Sequence, residues 1–377
     1  MSAPPPTGTD AYGVYVHVPF CSVRCDYCDF ATWADRAHLI DAYVEAVVTD
    51  LERQRLAGAP VASTVFLGGG TPSLLDGPQV ARVLDAIPRI PGAEVTVECN
   101  PDAVDAGRLA AYRAAGVDRL SFGVQSMSAH VLRALGRTHD PANVARAVDL
   151  ARAAGFARLN LDLITGTPGE TLEDWRRTLE GALALEPEHV SVYALTVEPG
   201  TPLGRRVASG AAPDVDEDAQ ADAYLLADAA LTAAGYEWYE ISNWARPGEE
   251  CRHNLGYWLG GEWGAAGCAA HGFRAGRRWW NVRTPERYLE RIAAGADPAS
   301  GDEALGPDAA AEEAFGLGLR TRFGVRVDPR ADAALADLVA GDLVRRSGDR
   351  IVLTPRGRLV ASDVTARLVL AGAVGPA

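Results

Sequence analysis

Three cysteines fall within eight positions near the start of the chain, in the segment VHVPFCSVRCDYCDF. They are Cys21, Cys25 and Cys28, and the next cysteine along the chain is Cys99. The polar residues between them disfavour an interpretation as three buried cysteines acting as small apolar side chains. One alternative is zinc, which takes four ligands at similar spacing and would need a fourth from His17 or a distant residue. Another is an iron–sulfur cluster held by three thiolates, which leaves one iron open.

The elements that must position these cysteines alternate between short β-rich runs and longer helical runs. The predicted strands are residues 12–18, 63–68, 94–99, 118–124, 157–164 and 188–195. Such alternation predicts a parallel sheet. Six units in roughly 180 residues are too few for a complete eight-unit barrel, so we predict an α/β fold with an incomplete (β/α)6 TIM-like barrel. The C-terminal ends of its strands should bring the cysteine loop and the GGGTP segment to one mouth.

The predicted barrel occupies residues 12–200 and follows a disordered N-terminal tail, residues 1–11. Residues 201–300 form a second region, rich in Trp, Tyr, Gly and His, and an acidic segment at 293–313 is typical of a linker. Residues 301–377 contain LVRRSGDRIVLT between helical runs, which predicts a hairpin within a winged-helix-like domain.

Composition excludes several classes of function. The net charge of −14 argues against nucleic acid as a partner. No apolar run approaches the ~18 residues of a membrane span, and the N-terminus lacks the features of a signal peptide. Six cysteines are too few for a disulfide scaffold. We therefore expect a cytoplasmic protein whose clustered cysteines bind metal.

The C-x3-C-x2-C spacing, with Tyr27 before the last cysteine, resembles that of the radical S-adenosylmethionine (SAM) enzymes. The resemblance implies a 4Fe-4S cluster held by Cys21, Cys25 and Cys28. In those enzymes the open iron binds the amino and carboxylate groups of SAM. The iron that lacks a fourth thiolate would therefore be the iron that binds the cofactor.

A longer series of motifs extends this resemblance across nearly the whole chain. The segments YVHVPFC, FLGGGTPS, VECNP, SFGVQS, LGRTH and NLDLITGTPGET resemble, in this order, the oxygen-independent coproporphyrinogen III oxidase superfamily. The resemblance implies that Tyr15, Gly69 and Glu98 contact the cluster-bound SAM. The positions that match a second SAM site of the oxidases are Tyr27, Gly70, Thr71, Gln125, Arg137 and Asp162.

Two departures from the oxidases favour an oxidase-like branch, the HemW-type haem chaperones. Phe30 stands where the oxidases carry a further cysteine, and only 20 residues precede Cys21. Members of this branch also carry an H-N-x-x-Y-W motif, matched here by His253, Asn254, Tyr257 and Trp258. The resemblance implies a chaperone that binds haem and passes it to haem-acceptor respiratory proteins. The alternative is an oxygen-independent coproporphyrinogen III oxidase or another radical enzyme acting on a tetrapyrrole.

The resemblance makes His253 the predicted axial haem ligand, with Cys268 and His271 as weaker candidates. A zinc site formed by these residues and Cys251 is a further alternative, as is a His that simply packs beneath the barrel. The arginine- and tryptophan-rich segment 274–291 could hold haem propionates or form a solvated surface. A homodimer and a peripheral membrane contact are left open.

Overall fold

The computed structural model of the 377-residue chain describes residues 12–375. The predicted disordered tail, residues 1–11, lies outside the described residues. None of the described helices is long and apolar enough to cross a lipid bilayer.

Six parallel strands form the centre of the molecule, each paired with the next in chain order. They are β1 (Tyr12–Val18), β2 (Ala62–Gly69), β3 (Arg89–Cys99), β4 (Arg119–Gln125), β5 (Arg158–Thr165) and β6 (His189–Ala194). Alternating valines of β1 (Val14, Val16 and Val18) are buried in the main core. Because β6 does not pair with β1, the predicted incomplete barrel is confirmed.

Helices between these strands cover the outside of the sheet. They are α1 (Ile40–Leu56), α2 (Gly77–Asp85), α3 (Ala106–Ala115), α4 (Ala129–Ala134), α5 (Pro141–Ala153) and α6 (Leu172–Ala184), with 3-10 turns at Ala37–Leu39, Pro72–Leu74 and Pro101–Ala103. Local sequence sets their starts. Asp140 caps α5 by accepting a hydrogen bond from the backbone of Ala142, and Pro141 occupies the first turn.

Six further strands extend both edges into one 12-stranded sheet, ordered β12-β11-β10-β9-β1-β2-β3-β4-β5-β6-β8-β7. They are β7 (Glu237–Glu240), β8 (Asn243–Ala245), β9 (Glu262–Ala266), β10 (His271–Arg274), β11 (Arg277–Asn281) and β12 (Ala299–Ala304). The helices of this part are α7 (Pro202–Ala208), α8 (Glu217–Ala233), α9 (Arg252–Trp258) and α10 (Pro285–Ala293). The predicted acidic linker was therefore wrong in part, because β12 lies within it and pairs with β11.

The C-terminal residues pack around a second, smaller core that contains Phe315, Leu335, Ile351 and Leu368. Its elements are α11 (Pro307–Leu319), a 3-10 turn (Pro329–Ala331), α12 (Asp332–Ala340), β13 (Val344–Ser347), β14 (Arg350–Leu353), α13 (Pro355–Leu359) and α14 (Ala361–Leu370). The predicted hairpin is present as the antiparallel pair β13–β14. The domain boundaries and the winged-helix-like assignment stay predictions.

Candidate functional site

The cysteine loop follows β1 and forms one wall of a cavity of about 410 Å³, here called the cluster cavity. Cys21, Cys25 and Cys28 all line it, and none forms a disulfide. The backbone amide of Cys21 donates to the carbonyl of Trp33 at 3.0 Å, which closes the loop on itself. Within residues 12–375, no three His, Cys, Asp or Glu side chains converge on a position for a single metal ion. Three separate thiols in one cavity fit a cluster, in which thiolates bind different irons.

Burial raises the pKa of the Cys21 and Cys28 thiols. Since metal ligands must be thiolates, binding a cluster would release protons from these groups. Arg137 lies across the cavity, with its guanidinium 3.6 Å from the Sγ atom of Cys25. A positive charge at this distance stabilises a thiolate.

The glycine segment after β2 lies directly against the cysteine-bearing chain. Gly69 has φ +111°, and a Cβ on it would lie 2.4 Å from the ring of His17. A Cβ on Gly70 would lie 2.6 Å from the carbonyl oxygen of Phe20 and 2.8 Å from that of Val18. Glycine is favoured at Gly69 by the left-handed backbone and at Gly70 by the nearby backbone oxygens, so the segment leaves bare peptide groups at the cavity wall.

Two carboxyl groups face the cluster cavity from neighbouring parts of the sheet. Glu98, on β3, accepts a hydrogen bond from the backbone amide of Gly69 at 3.0 Å. Asp162, on β5, accepts hydrogen bonds from Ser121 and Asn160, each at 2.8 Å. Burial, and then the charge of Asp162, raise the pKa of Glu98 to about 8, and burial also raises the pKa of Asp162. The pair offers acceptors for ammonium or hydroxyl groups of a ligand.

Gln125 ends β4 with φ +65°, a left-handed conformation that is uncommon for a residue other than glycine. Such backbone strain often accompanies a functional position. The predicted cluster and SAM residues that line the cluster cavity are Cys21, Cys25, Tyr27, Cys28, Gly69, Gly70, Thr71, Glu98, Gln125, Arg137 and Asp162. Tyr15 lines the neighbouring cavities instead.

A larger cavity of about 780 Å³, here called the apolar cavity, adjoins the cluster cavity. The two share Phe30, Gly69 and Glu98 as lining residues. The aromatic residues of its wall are Tyr15, Phe30, Tyr257, Trp258, Trp263 and Phe273, and the C-terminal part contributes Ala310, Glu313, Ala314 and Leu317. This cavity was not predictable from the sequence, because its walls come from segments far apart in the chain.

His253 lies inside the barrel, with both ring nitrogens already engaged. Its Nδ1 is 2.8 Å from the hydroxyl of Thr64, and its Nε2 is 2.8 Å from the hydroxyl of Tyr257. It lines a separate cavity of about 120 Å³ rather than the apolar cavity. Burial lowers its pKa to about 4. Haem ligation by His253 stays a prediction, and it would require the loss of one of these hydrogen bonds.

The other candidates of the Trp- and His-rich region do not come together. The Sγ atom of Cys251 is 3.5 Å from a carboxylate oxygen of Glu94, whereas Cys268 accepts a hydrogen bond from Tyr43. The alternative zinc site was therefore wrong, because no three metal-binding side chains among residues 12–375 share a position.

The arginines of β11 are paired with carboxylates of the same part of the molecule. Arg277 is 2.9 Å from Asp302, and Arg278 lies 2.9 Å from Glu303 and 2.6 Å from Glu313. These charges are already offset, so they form no free basic patch for propionates.

Comparison with known proteins decides the family. The Radical SAM superfamily model matches residues 15–182. The heme chaperone HemW of Mycobacterium tuberculosis is 46% identical over 374 residues, which cover 95% of each chain. The heme chaperone HemW of Bacillus subtilis is 34% identical and matches 93% of this chain and 97% of its own. This chain belongs to the HemW heme chaperone family of radical SAM proteins.

A solved structure confirms the HemN-like fold. Coproporphyrinogen III oxidase (HemN) from Escherichia coli aligns with a TM-score of 0.83 over 96% of this chain and 91% of its own. The identity is 24%, so this likeness concerns the fold alone. Membership in the HemW family confirms the predicted oxidase-like branch.

Proposed function

We propose that this chain binds a 4Fe-4S cluster and SAM in the cluster cavity, binds haem, and delivers haem to acceptor haemoproteins. The observation that carries the proposal is the arrangement of the cluster cavity, where the three thiols, the bare glycine segment and two carboxyl groups face one another. The names of the HemW relatives support the role in handling haem. A cytoplasmic location, a homodimer and a peripheral membrane contact stay predictions.

The residues of the chain divide the binding of SAM between them. Cys21, Cys25 and Cys28 would hold the cluster, which would supply the electron for reductive cleavage of the sulfonium of SAM. The carboxylate of Glu98 is placed to accept hydrogen bonds from the N–H groups of an amino group, and Gly69 and Gly70 keep side chains away from the same wall. The guanidinium of Arg137 lies on the other side of the cavity, 3.6 Å from the Sγ atom of Cys25.

A second candidate function, oxidation of coproporphyrinogen III, is favoured by the predicted SAM residues that line the cluster cavity, which are all of the predicted set except Tyr15. Against it stands Phe30, which occupies the position of the further cysteine of the oxidases. Its side chain is 67% exposed and borders both cavities. An exposed aromatic ring at this position suits contact with a flat apolar ligand better than it suits cluster chemistry.

Anaerobic reconstitution tests the cluster. The wild-type protein should hold about four irons and four sulfides per chain, with a broad absorption band near ~400 nm. Replacing Cys21, Cys25 and Cys28 by Ala should abolish both, while Cys99→Ala, at a buried cysteine outside the loop, should not. Stoichiometric zinc in protein kept free of oxygen would falsify the assignment.

Two assays on the same preparation separate the candidate functions. Haem loaded onto the protein should transfer to a haem-free acceptor haemoprotein, and coproporphyrinogen III should not be decarboxylated. Typical enzymes turn over at about 1–1000 per second. A SAM- and reductant-dependent decarboxylation within ~10³ of that range would establish the oxidase function instead.

A further inference from the structure

The apolar cavity has the properties of a site for a large, flat, mostly apolar ligand. Its volume of about 780 Å³ lies in the usual range for small-molecule sites, and aromatic rings dominate its wall. A few polar groups interrupt this surface, among them His17, His271 and Arg278. A tetrapyrrole that carries iron would take an axial ligand from this wall, whose imidazoles are those of His17 and His271.

Hydrogen bonding distinguishes the histidines. The Nδ1 of His17 is 3.1 Å from the hydroxyl of Tyr15, and its Nε2 is 3.0 Å from the carbonyl oxygen of Ala31. His253 is also engaged at both nitrogens. By contrast, no hydrogen bond from any residue in 12–375 reaches a ring nitrogen of His271. Of these three, His271 has its nitrogen lone pair free for a metal.

The position of His271 on the sheet directs it to the cavity. It lies on β10 two residues before Phe273, so both side chains project from the same face, and both line the apolar cavity. Its backbone oxygen accepts a hydrogen bond from the indole of Trp263 at 2.8 Å, and its ring stacks with Trp280 at 6.1 Å between centroids. The stacking with Trp280 orients the imidazole without occupying its nitrogens.

The charge state of His271 also suits the role of an axial ligand to iron. Burial, and then the nearby Arg278, lower its pKa. The imidazole is therefore neutral at pH 7, the form that binds metal.

We propose that haem occupies the apolar cavity with His271 as its axial ligand. This inference rests on the proposed haem-chaperone function and names the site of that function. It places the haem beside the cluster cavity. Phe30, Gly69 and Glu98, which line both cavities, would separate the haem from SAM in the cluster cavity. Arg278 has a smaller part, because Glu303 and Glu313 already offset its charge.

Haem titration of the full, cluster-loaded chain tests the ligand. Cluster absorption overlaps the haem Soret band, so binding is followed by difference spectra against the same sample before haem is added. His271→Ala and His271→Gln should weaken haem binding about tenfold or more and shift the Soret band. Imidazole added to His271→Ala should restore the wild-type spectrum. The matched control, His38→Ala, changes an exposed histidine outside both cavities and should behave as wild type.

The possible results separate the two proposals. If wild-type protein does not bind haem, the proposed function fails. If wild type binds haem but both His271 variants keep its affinity and spectrum, only the ligand assignment is overturned. A His253→Ala variant decides between the two histidines, because loss of the axial signal there, with His271→Ala unchanged, would assign His253. Iron and sulfide content should stay at the wild-type level in every His271 variant, which shows that the fold is intact.

Discussion

Glu98 is the residue whose ionisation should control SAM binding most directly. Burial, and then the charge of Asp162, raise the pKa of its carboxyl to about 8, although the hydrogen bond from the amide of Gly69 acts in the opposite direction. At pH 7 the group is mostly protonated. The N–H groups of a bound amino group, however, form stronger hydrogen bonds to the carboxylate than to the neutral acid, so binding is coupled to loss of the proton.

We therefore expect the affinity of the cluster-loaded protein for SAM to rise as the pH increases from 6 to about 8 and to level off above the pKa of Glu98. Below that pKa the slope should approach tenfold per pH unit, the value for the loss of one proton. Equilibrium binding of SAM, measured across this pH range, gives the slope.

Glu98→Gln is the matched control, because it keeps the size and the hydrogen-bond acceptor but cannot ionise. Its affinity should be lower at pH 8, and the part of the slope due to Glu98 should disappear. An unchanged pH profile in this variant would show that another group, such as Asp162, supplies the titration.

The candidate site was predictable where its residues occur in short ordered motifs. The cysteine trio, the glycine segment and Glu98 belong to such motifs, and they line one cavity. The hydrogen bonding of the His253 ring was not predictable, because its partner Thr64 is 189 residues away in the chain. A motif shows which residue type occurs but not which of its atoms are already bonded.

At the scale of elements, the segment after β2 controls the shape of the cluster cavity. Gly70→Ala should lower the cluster content and reduce thermal stability, because its Cβ would meet two backbone carbonyl oxygens and the Sγ atom of Cys21. Backbone atoms cannot rotate away as a flexible side chain would, so the cysteine loop must shift. Iron analysis and thermal unfolding of reconstituted protein measure both effects.

Gly256→Ala provides the control for this substitution. Gly256 lies within α9, where an added Cβ would meet nothing within 4 Å. Alanine in a helix interior is more stable than glycine by roughly 0.5–1 kcal/mol, so this variant should be at least as stable as wild type. Equal cluster content in both variants would contradict the steric argument for Gly70.

The strands that could be predicted are those whose residues favour strands on their own. The six parallel strands lie within a few residues of their predicted positions, because alternating apolar runs and helix caps mark each unit. The sequence ASGDEA of β12 has no such preference. It becomes a strand because it pairs with β11, where Gly301 leaves room for the ring of Trp280.

At the scale of the whole molecule, the C-terminal core is joined to the sheet beside the apolar cavity. The buried Arg358 pairs with Asp228 at 2.7 Å, and its guanidinium lies 4.4 Å from the ring centre of Trp238. Arg320, at the end of α11, lies 4.4 Å from the ring centre of Trp258, which itself lines the cavity. The contact between Arg320 and Trp258 holds α11 against the wall of the apolar cavity.

This arrangement predicts that a bulky side chain on α11 will block haem without disturbing the cluster. Ala314 lines the apolar cavity, whereas Ala309 lies in a surface groove between α11 and α14. Ala314→Trp should weaken haem binding about tenfold or more, because an indole occupies space that the ligand needs. Ala309→Trp carries the same helix-propensity cost and should bind haem as wild type does.

Iron and sulfide content should be equal in the two variants, since neither alanine lines the cluster cavity. Comparison of these variants with His271→Ala then distinguishes steric exclusion of haem from the loss of its axial ligand. Ala314→Trp should reduce the amount of haem bound while the remaining complex keeps the wild-type spectrum. His271→Ala should change the spectrum itself. Unchanged haem affinity in Ala314→Trp would mean that haem binds outside the apolar cavity and that α11 is not part of its site.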